Sequence, residues 1–346
     1  MKGPGGLPEK NGQNLVAGSG TKWGDAGHRR RRTTVTESAA WLDMDPGIDD
    51  AWALVVAATG LPIVGVSAVA GNVGVRRTAQ NAREVLNLLD RGSVRVYPGA
   101  DRPLIYAPLT AESFHGDSGL GPWTPEAPEV PGDAVPVWSH WAGLPPTGPG
   151  SAETPMDLIA TGPLTNLALG YLTLADFGRH WSSVTVMCGA LPGVRAEKHD
   201  EFNVYVDPHA ADVVFQRGHN VRVVGINVAH KALLPLSDVD RLSDDYGRIG
   251  RFLATALRFY GEKSRGEGGD PNAFPVDDVV AVAAVMAPSL FQWAEMPLTV
   301  VREGPMRGAL LITPKDEDRP LVNIATEIDA DGFRDFIWER MKTYHG

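Results

Sequence analysis

From residue 39 onward, short apolar runs alternate with turns and amphipathic stretches. An apolar run over 40–44 breaks at Asp45-Pro46-Gly47 and resumes as a helical stretch over 48–59. Gly60-Leu61-Pro62 ends that stretch, and the β-branched run 63–69 reads as a strand. Residues 75–89 place Val85, Leu86, Leu88 and Leu89 on the apolar side of a helix, and 94–97 reads as a third strand. This βαβαβ rhythm predicts a mostly parallel sheet with helices on both faces. A Pro- and Gly-rich stretch, 101–155, follows with one short helix near 135–141. Strands are then predicted over 158–160, 184–187 and 221–226, alternating with helices over 164–171 and 208–216. Helical stretches over 238–262 and 278–287, a late hairpin of 298–301 with 309–312, and a closing helix over 333–344 complete the pattern. With no internal repeat and no clear linker, the expectation is one large α/β domain over 39–346, an open Rossmann-like sheet flanked by helices.

Two stretches depart from this rhythm. No charge occurs between Asp50 and Arg76, long enough to hide a membrane-spanning helix. Gly60-Leu61-Pro62 cuts that stretch near its middle, so helix-turn-strand is the better reading. Residues 1–38 are Gly-rich, nearly free of apolar runs and carry Arg29-Arg30-Arg31-Arg32. They lack the apolar segment of about 7–15 residues that a secretory signal needs, and read as a disordered N-terminal extension. Composition then narrows the class. Of 346 residues 43% are apolar, enough to bury a sizeable core, and 39 glycines with 27 prolines but no period exclude a collagen. A net charge of −10 argues against nucleic acid and anionic membranes as partners. A single cysteine, Cys188, excludes an internal disulfide and fits a reducing, cytoplasmic setting.

The chemistry gathers after the first strand, where Asp43, Asp45, Asp49 and Asp50 put four carboxylates into eight residues. In parallel α/β sheets ligands bind at the carboxyl edge. Carboxylates crowded there repel one another, and a hard cation with oxygen ligands relieves them. Asp49 and Asp50 alone would also suit a helix N-terminus, where the macrodipole favours negative charge.

Asp43-Met44-Asp45-Pro46-Gly47-Ile48-Asp49-Asp50-Ala51 resembles the signature of the inosine-uridine preferring nucleoside hydrolases. Four further segments resemble that family in order: Gly71-Asn72-Val73 with Asn81-Ala82, then His115-Gly116-Asp117-Ser118-Gly119-Leu120-Gly121, then Thr161-Gly162-Pro163-Leu164-Thr165-Asn166-Leu167-Ala168, then Glu201-Phe202-Asn203 with Asp207-Pro208. The resemblance runs from about 41 to 344. It implies Ca²⁺-dependent hydrolysis of a ribonucleoside to ribose and free base. Within it, Asp45 is the general base on a metal-bound water and itself a ligand, and Asp50, the Thr161 carbonyl and Asp278 complete the Ca²⁺ site. Asp49 and Asn203 hold the ribose hydroxyls, with Asn72 and Glu201 nearby; both asparagines also suit turn caps. Asp43 supports the loop, Met187 lines the sugar pocket, and His115 walls the base pocket or serves only its own loop. The resemblance also implies a homodimer or homotetramer.

Two departures from the family pattern bear on mechanism. Many members carry His-Asp where this chain has Asp277-Asp278, and that histidine protonates the leaving base. Asp277 thus becomes a candidate acid through a raised pKa, or a helix cap pointing away. Many members also carry Gly-Asn six residues before the glutamate, and an ungapped count lands here on Arg195. Arg195 or Lys198 would suit a 5′-phosphorylated substrate; an Arg195–Glu201 ion pair is the plainer reading. A glycosidase acting on a modified ribosyl compound, and a ribose- or nucleoside-binding homologue without turnover, are the alternative functions.

Overall fold

The computed structural model describes residues 38–131, 134–144, 150–151, 153–191, 201–266, 269–314 and 318–345. The expected extension over 1–38 therefore lies, up to residue 37, outside the described residues, as do Arg195 and Lys198.

The first strand, β1 (Ala40–Met44), is buried along its whole length. It is flanked by β2 (Ile63–Ala68) on one side, with β3 (Arg95–Pro98) beyond. On its other side lie β4 (Met156–Ala160), β5 (Trp181–Met187) and β6 (Val221–Val224), all parallel. Strands buried on both faces carry near-continuous apolar runs, which is why these segments read so clearly. Alternate residues of β1 feed two cores, one on each face. Ala40, Leu42 and Met44 join the first and Trp41 the second. A short antiparallel pair, β7 (Leu234–Pro235) and β8 (Ala273–Phe274), stands apart from the sheet.

The late hairpin forms as expected, β9 (Phe291–Val300) pairing with β10 (Leu310–Ile312). One strand was absent from the pattern. β11 (Leu321–Ile328) inserts between β9, to which it is antiparallel, and β6, to which it is parallel. The nine-stranded order is therefore β10-β9-β11-β6-β5-β4-β1-β2-β3.

Helices fill both faces. Ile48–Ala57 is buried at all ten positions, packed between the helices Gly247–Gly266 and Asp277–Met286. An all-round apolar helix needs such a central place. The apolar stretch weighed as a membrane span is this helix followed by β2, and among the described residues no helix is long and apolar enough to cross a membrane. Two helix expectations change in detail. The stretch 238–262 is two helices, Asp238–Asp245 and Gly247–Gly266, joined where Gly247 takes φ +57°. Strand β6 ends at Val224, and the following residues form a short helix, Ile226–Ala229.

Strand order reverses between β1 and β4, since the chain first builds outward through β2 and β3 and then returns to the opposite side of β1. At such a switch point the connections diverge to opposite faces and leave a crevice beyond the strand ends. Asp45 follows β1 and Thr161 follows β4, so both stand at that crevice.

Candidate active site

The crevice opens into a cavity of about 450 Å³. Its acidic floor is built from two helix starts and one strand end. Asp49 and Asp50 lie in the first turn of Ile48–Ala57, and Asp278 lies in the first turn of Asp277–Met286. One oxygen of each of these three carboxylates falls within 4.8 Å of the others, and all three residues are buried. Acids from opposite ends of the chain thus converge on one point. Both helices direct their positive dipole ends there, which favours negative charge.

Asp45 adjoins this trio. Its Oδ2 accepts the Asn72 backbone N–H at 2.7 Å, while its buried Oδ1 has no protein partner. The carboxylate is clasped between glycines: a Cβ at Gly71 would stand 2.0 Å from Oδ2, and one at Gly162 would stand 2.7 Å from Oδ1. The Asn72 side chain ties two acids together, its Nδ2 donating to the Asp45 carbonyl at 3.1 Å and to Asp50 Oδ2 at 3.0 Å. Asp50 also accepts the Gly47 N–H at 3.0 Å and the Thr161 hydroxyl at 2.6 Å. The Thr161 side chain thus holds Asp50, in addition to the role expected of its carbonyl. Burial, followed by neighbouring carboxylates, lifts Asp45, Asp49 and Asp278 well above the ordinary carboxylate range. Burial also raises Asp50, against the hydrogen bonds it accepts.

The donor set is all oxygen and acidic. Among the described residues no lysine or arginine lines the cavity to balance it. Three convergent carboxylates, an orphaned Asp45 oxygen and a nearby main-chain carbonyl fit a hard divalent cation.

Asn203, Met187 and Glu201, for which sugar contacts were expected, meet in the cavity. Asn203 Nδ2 donates to the Thr161 carbonyl at 2.7 Å and the Met187 carbonyl at 3.1 Å, and Met187 and Asn203 both face the cavity. Glu201 also lines it, yet both its oxygens serve the backbone. Oε1 accepts the Asn203 N–H at 2.6 Å, and Oε2 accepts those of Gly189 and Val204 at 2.8 and 3.1 Å. It is a buried cap for Phe202–Val206, with its pKa lifted by burial to about 7. Asp43, expected to support the loop, accepts from Ser67 and from Asn166 Nδ2 at 2.8 Å.

The opposite wall comes from separate segments: Phe114 and His115, Ile226 and His230, Tyr260, and Asp277. His115 does double duty. Its Nδ1 accepts the Ile48 N–H at 3.1 Å at the start of the central helix, and its ring lies 5.5 Å from that of Tyr260. Burial pushes its pKa down to about 3, so the ring is neutral, with the hydrogen placed on Nε2 by the bond Nδ1 accepts. Asp277, in the first turn of its helix, lines the cavity, and its Oδ1 has no hydrogen-bond partner. Phe114, Ile226, His230 and Tyr260 were not foreseen. The one available signal was positional: His230 follows closely on the carboxyl end of a parallel strand.

Comparison with known proteins agrees with this geometry. A profile of the inosine-uridine preferring nucleoside hydrolases matches residues 40–335. The pyrimidine-specific ribonucleoside hydrolase RihA of Salmonella paratyphi B is 32% identical over 311 residues, covering 88% of this chain and 98% of that protein. Among solved structures, the plant nucleoside hydrolase PpNRh1 superposes with a TM-score of 0.81 at 27% identity, covering 88% of this chain and 99% of its own. The purine-preferring ribonucleoside hydrolase from Gardnerella vaginalis gives 0.77 at 25% identity, covering 88% and 98%. With a family profile matching most of the chain and a relative 32% identical along nearly its whole length, the chain belongs to the inosine-uridine preferring nucleoside hydrolase family.

Proposed function

We propose that this protein hydrolyses the N-glycosidic bond of a ribonucleoside, releasing ribose and free base, with Ca²⁺ as its metal. The convergence of Asp49, Asp50 and Asp278 within 4.8 Å, with Asp45 alongside, carries the reading. Asp50, Asp278, Asp45 and the Thr161 carbonyl would hold the cation. When bound, such an ion acidifies a water and grips vicinal sugar hydroxyls.

Every other task falls to side chains. Asp45 takes the proton of the attacking water. Its carboxylate is fixed through Oδ2 by Asn72 and by the two flanking glycines, leaving Oδ1 for that proton. Asp49 and Asn203 hydrogen-bond the ribose hydroxyls, and the Asn203 amide is already oriented by the Thr161 and Met187 carbonyls. Asn72 braces the acids, and Met187 packs under the sugar. His115 and Phe114 close the base side and exclude water from the oxocarbenium-like centre. The relatives differ in the base their names report, one pyrimidine-specific and one purine-preferring, so the proposal extends to nucleosides as a class.

Incubation with uridine, cytidine, inosine and adenosine, followed by chromatography of the base and a reducing-sugar assay, tests the reading. Release with Ca²⁺ and none with a chelator is the expected result. Calcium binding without release from any nucleoside would instead establish a binding protein. A cytoplasmic homodimer or homotetramer is proposed on the same resemblance, and light scattering checks the assembly.

A further inference from the structure

The acidic floor explains how water is activated, but a departing base must also gain a proton. This chain carries Asp277 where a histidine stands in many relatives. A different histidine lies against it. His230, supplied by the segment after β6, places Nε2 3.6 Å from Asp277 Oδ2, and both residues line the cavity. The Asp277 side chain is mostly buried, and its Oδ1 has no hydrogen-bond partner. The His230 side chain is about half exposed, at 52%, so it reaches both the cavity and solvent.

We propose that His230 is the acid that protonates the leaving base, with Asp277 as the positioning residue that holds its ring. The inference rests on the hydrolase reading above. In the step, the bonding pair of the C1′–N bond leaves with the base nitrogen, which takes a proton from the imidazolium. The water oxygen bonds to C1′ and gives one proton to Asp45. Ribose and protonated base depart, Asp45 releases its proton to solvent, and the neutral imidazole regains one from solvent through its exposed side. A carboxylate beside a histidine favours the imidazolium, and Asp277 raises the His230 pKa against the opposing effect of burial. The acid of this chain thus comes from the loop after β6 rather than from the helix start that carries Asp278. The arrangement exchanges the residue types: the carboxylate stands on the helix and the imidazole on the loop.

The test compares two kinds of leaving group. Uridine and inosine release bases that need a proton, whereas p-nitrophenyl β-ribofuranoside releases a stable phenolate that does not. For His230→Gln, kcat on uridine and inosine should fall about 100-fold or more, in the range of lost acid catalysis. The fall on the phenyl riboside should be at least about 10-fold smaller. Asp277→Asn should show the same selectivity with a smaller loss. The double variant should be no slower on nucleosides than His230→Gln alone, because the two residues act as one unit. Equal losses on both kinds of substrate, or unchanged nucleoside turnover, would overturn the proposal. If His230→Gln fails to fold, His230→Asn and the single Asp277→Asn variant decide it by the same ratio. A parent enzyme inert on nucleosides and phenyl riboside alike would instead sink the hydrolase reading, and this inference with it.

Discussion

The floor and the wall of the cavity are built on different principles. The floor is set at the ends of buried parallel strands and the first turns of two buried helices. Each of its acids is fixed by main-chain or amide donors or by a facing acid, and Asp45 is held between two glycines. The wall is assembled from side chains of two short helices and a long one, meeting through ring contacts such as Phe114–Tyr260 at 4.9 Å. A rigid floor suits chemistry shared by all substrates. A wall of independent parts suits discrimination between bases.

The sharpest way to break this division is Asp45→Asn. It should lower kcat about 1,000-fold, or about 4 kcal/mol of barrier, on every nucleoside alike. Steady-state assays on uridine and inosine check it, and a loss confined to one base would place Asp45 in recognition instead.

A second expectation concerns acids buried around the floor. Glu201 and Asp43 are lifted by burial from 4.5 and 3.8 to about 7. The folded state then retains protons that the unfolded chain releases. The stability they contribute is therefore full below their unfolded values and declines as pH rises from about 4 to about 7. The shifts correspond to about 3 kcal/mol for Glu201 and about 4 kcal/mol for Asp43. Chemical denaturation across that range in chelator should show the decline, and Glu201→Gln should flatten it.

Calcium at about 100 times its Kd should stabilise the fold by about 2.7 kcal/mol and raise Tm by several degrees. Differential scanning fluorimetry with and without chelator reads this, and Asp278→Asn should abolish most of the gain. An unchanged melting curve would remove the cation from the floor. The smallest effect belongs to the wall. Phe114→Ala should change the ratio of kcat/KM for inosine and uridine about 10-fold, near 1.4 kcal/mol, while leaving Ca²⁺ stabilisation intact.

The sequence disclosed the floor far better than the wall, for a physical reason. Asp45, Asp49 and Asp50 sit in one continuous turn, and Asn72, Thr161 and Asn203 each follow a strand or open a helix within a dense motif. Tyr260 and His230 have no such local mark. Tyr260 is one residue of a twenty-residue amphipathic helix, and only tertiary packing brings it beside His115. The same distinction holds for the fold. Buried strands β1, β4 and β5 announce themselves by mostly apolar, β-branched or aromatic runs with few polar interruptions. Strand β11 mixes Asn323, Thr326 and Glu327 with its apolar residues, and its place is fixed by pairing with β6 about a hundred residues away. Arg195 lies outside the described residues, so the phosphate reading drawn from it gains no structural support.

The clasp around Asp45 also bears on redesign. Any side chain at Gly71 or Gly162 would occupy space already filled by the Asp45 carboxylate. Libraries aimed at new nucleoside drugs or analogues should therefore leave those two loops untouched and vary Phe114, Ile226 and Tyr260 instead. Retargeting would then proceed without disturbing the machinery that breaks the bond.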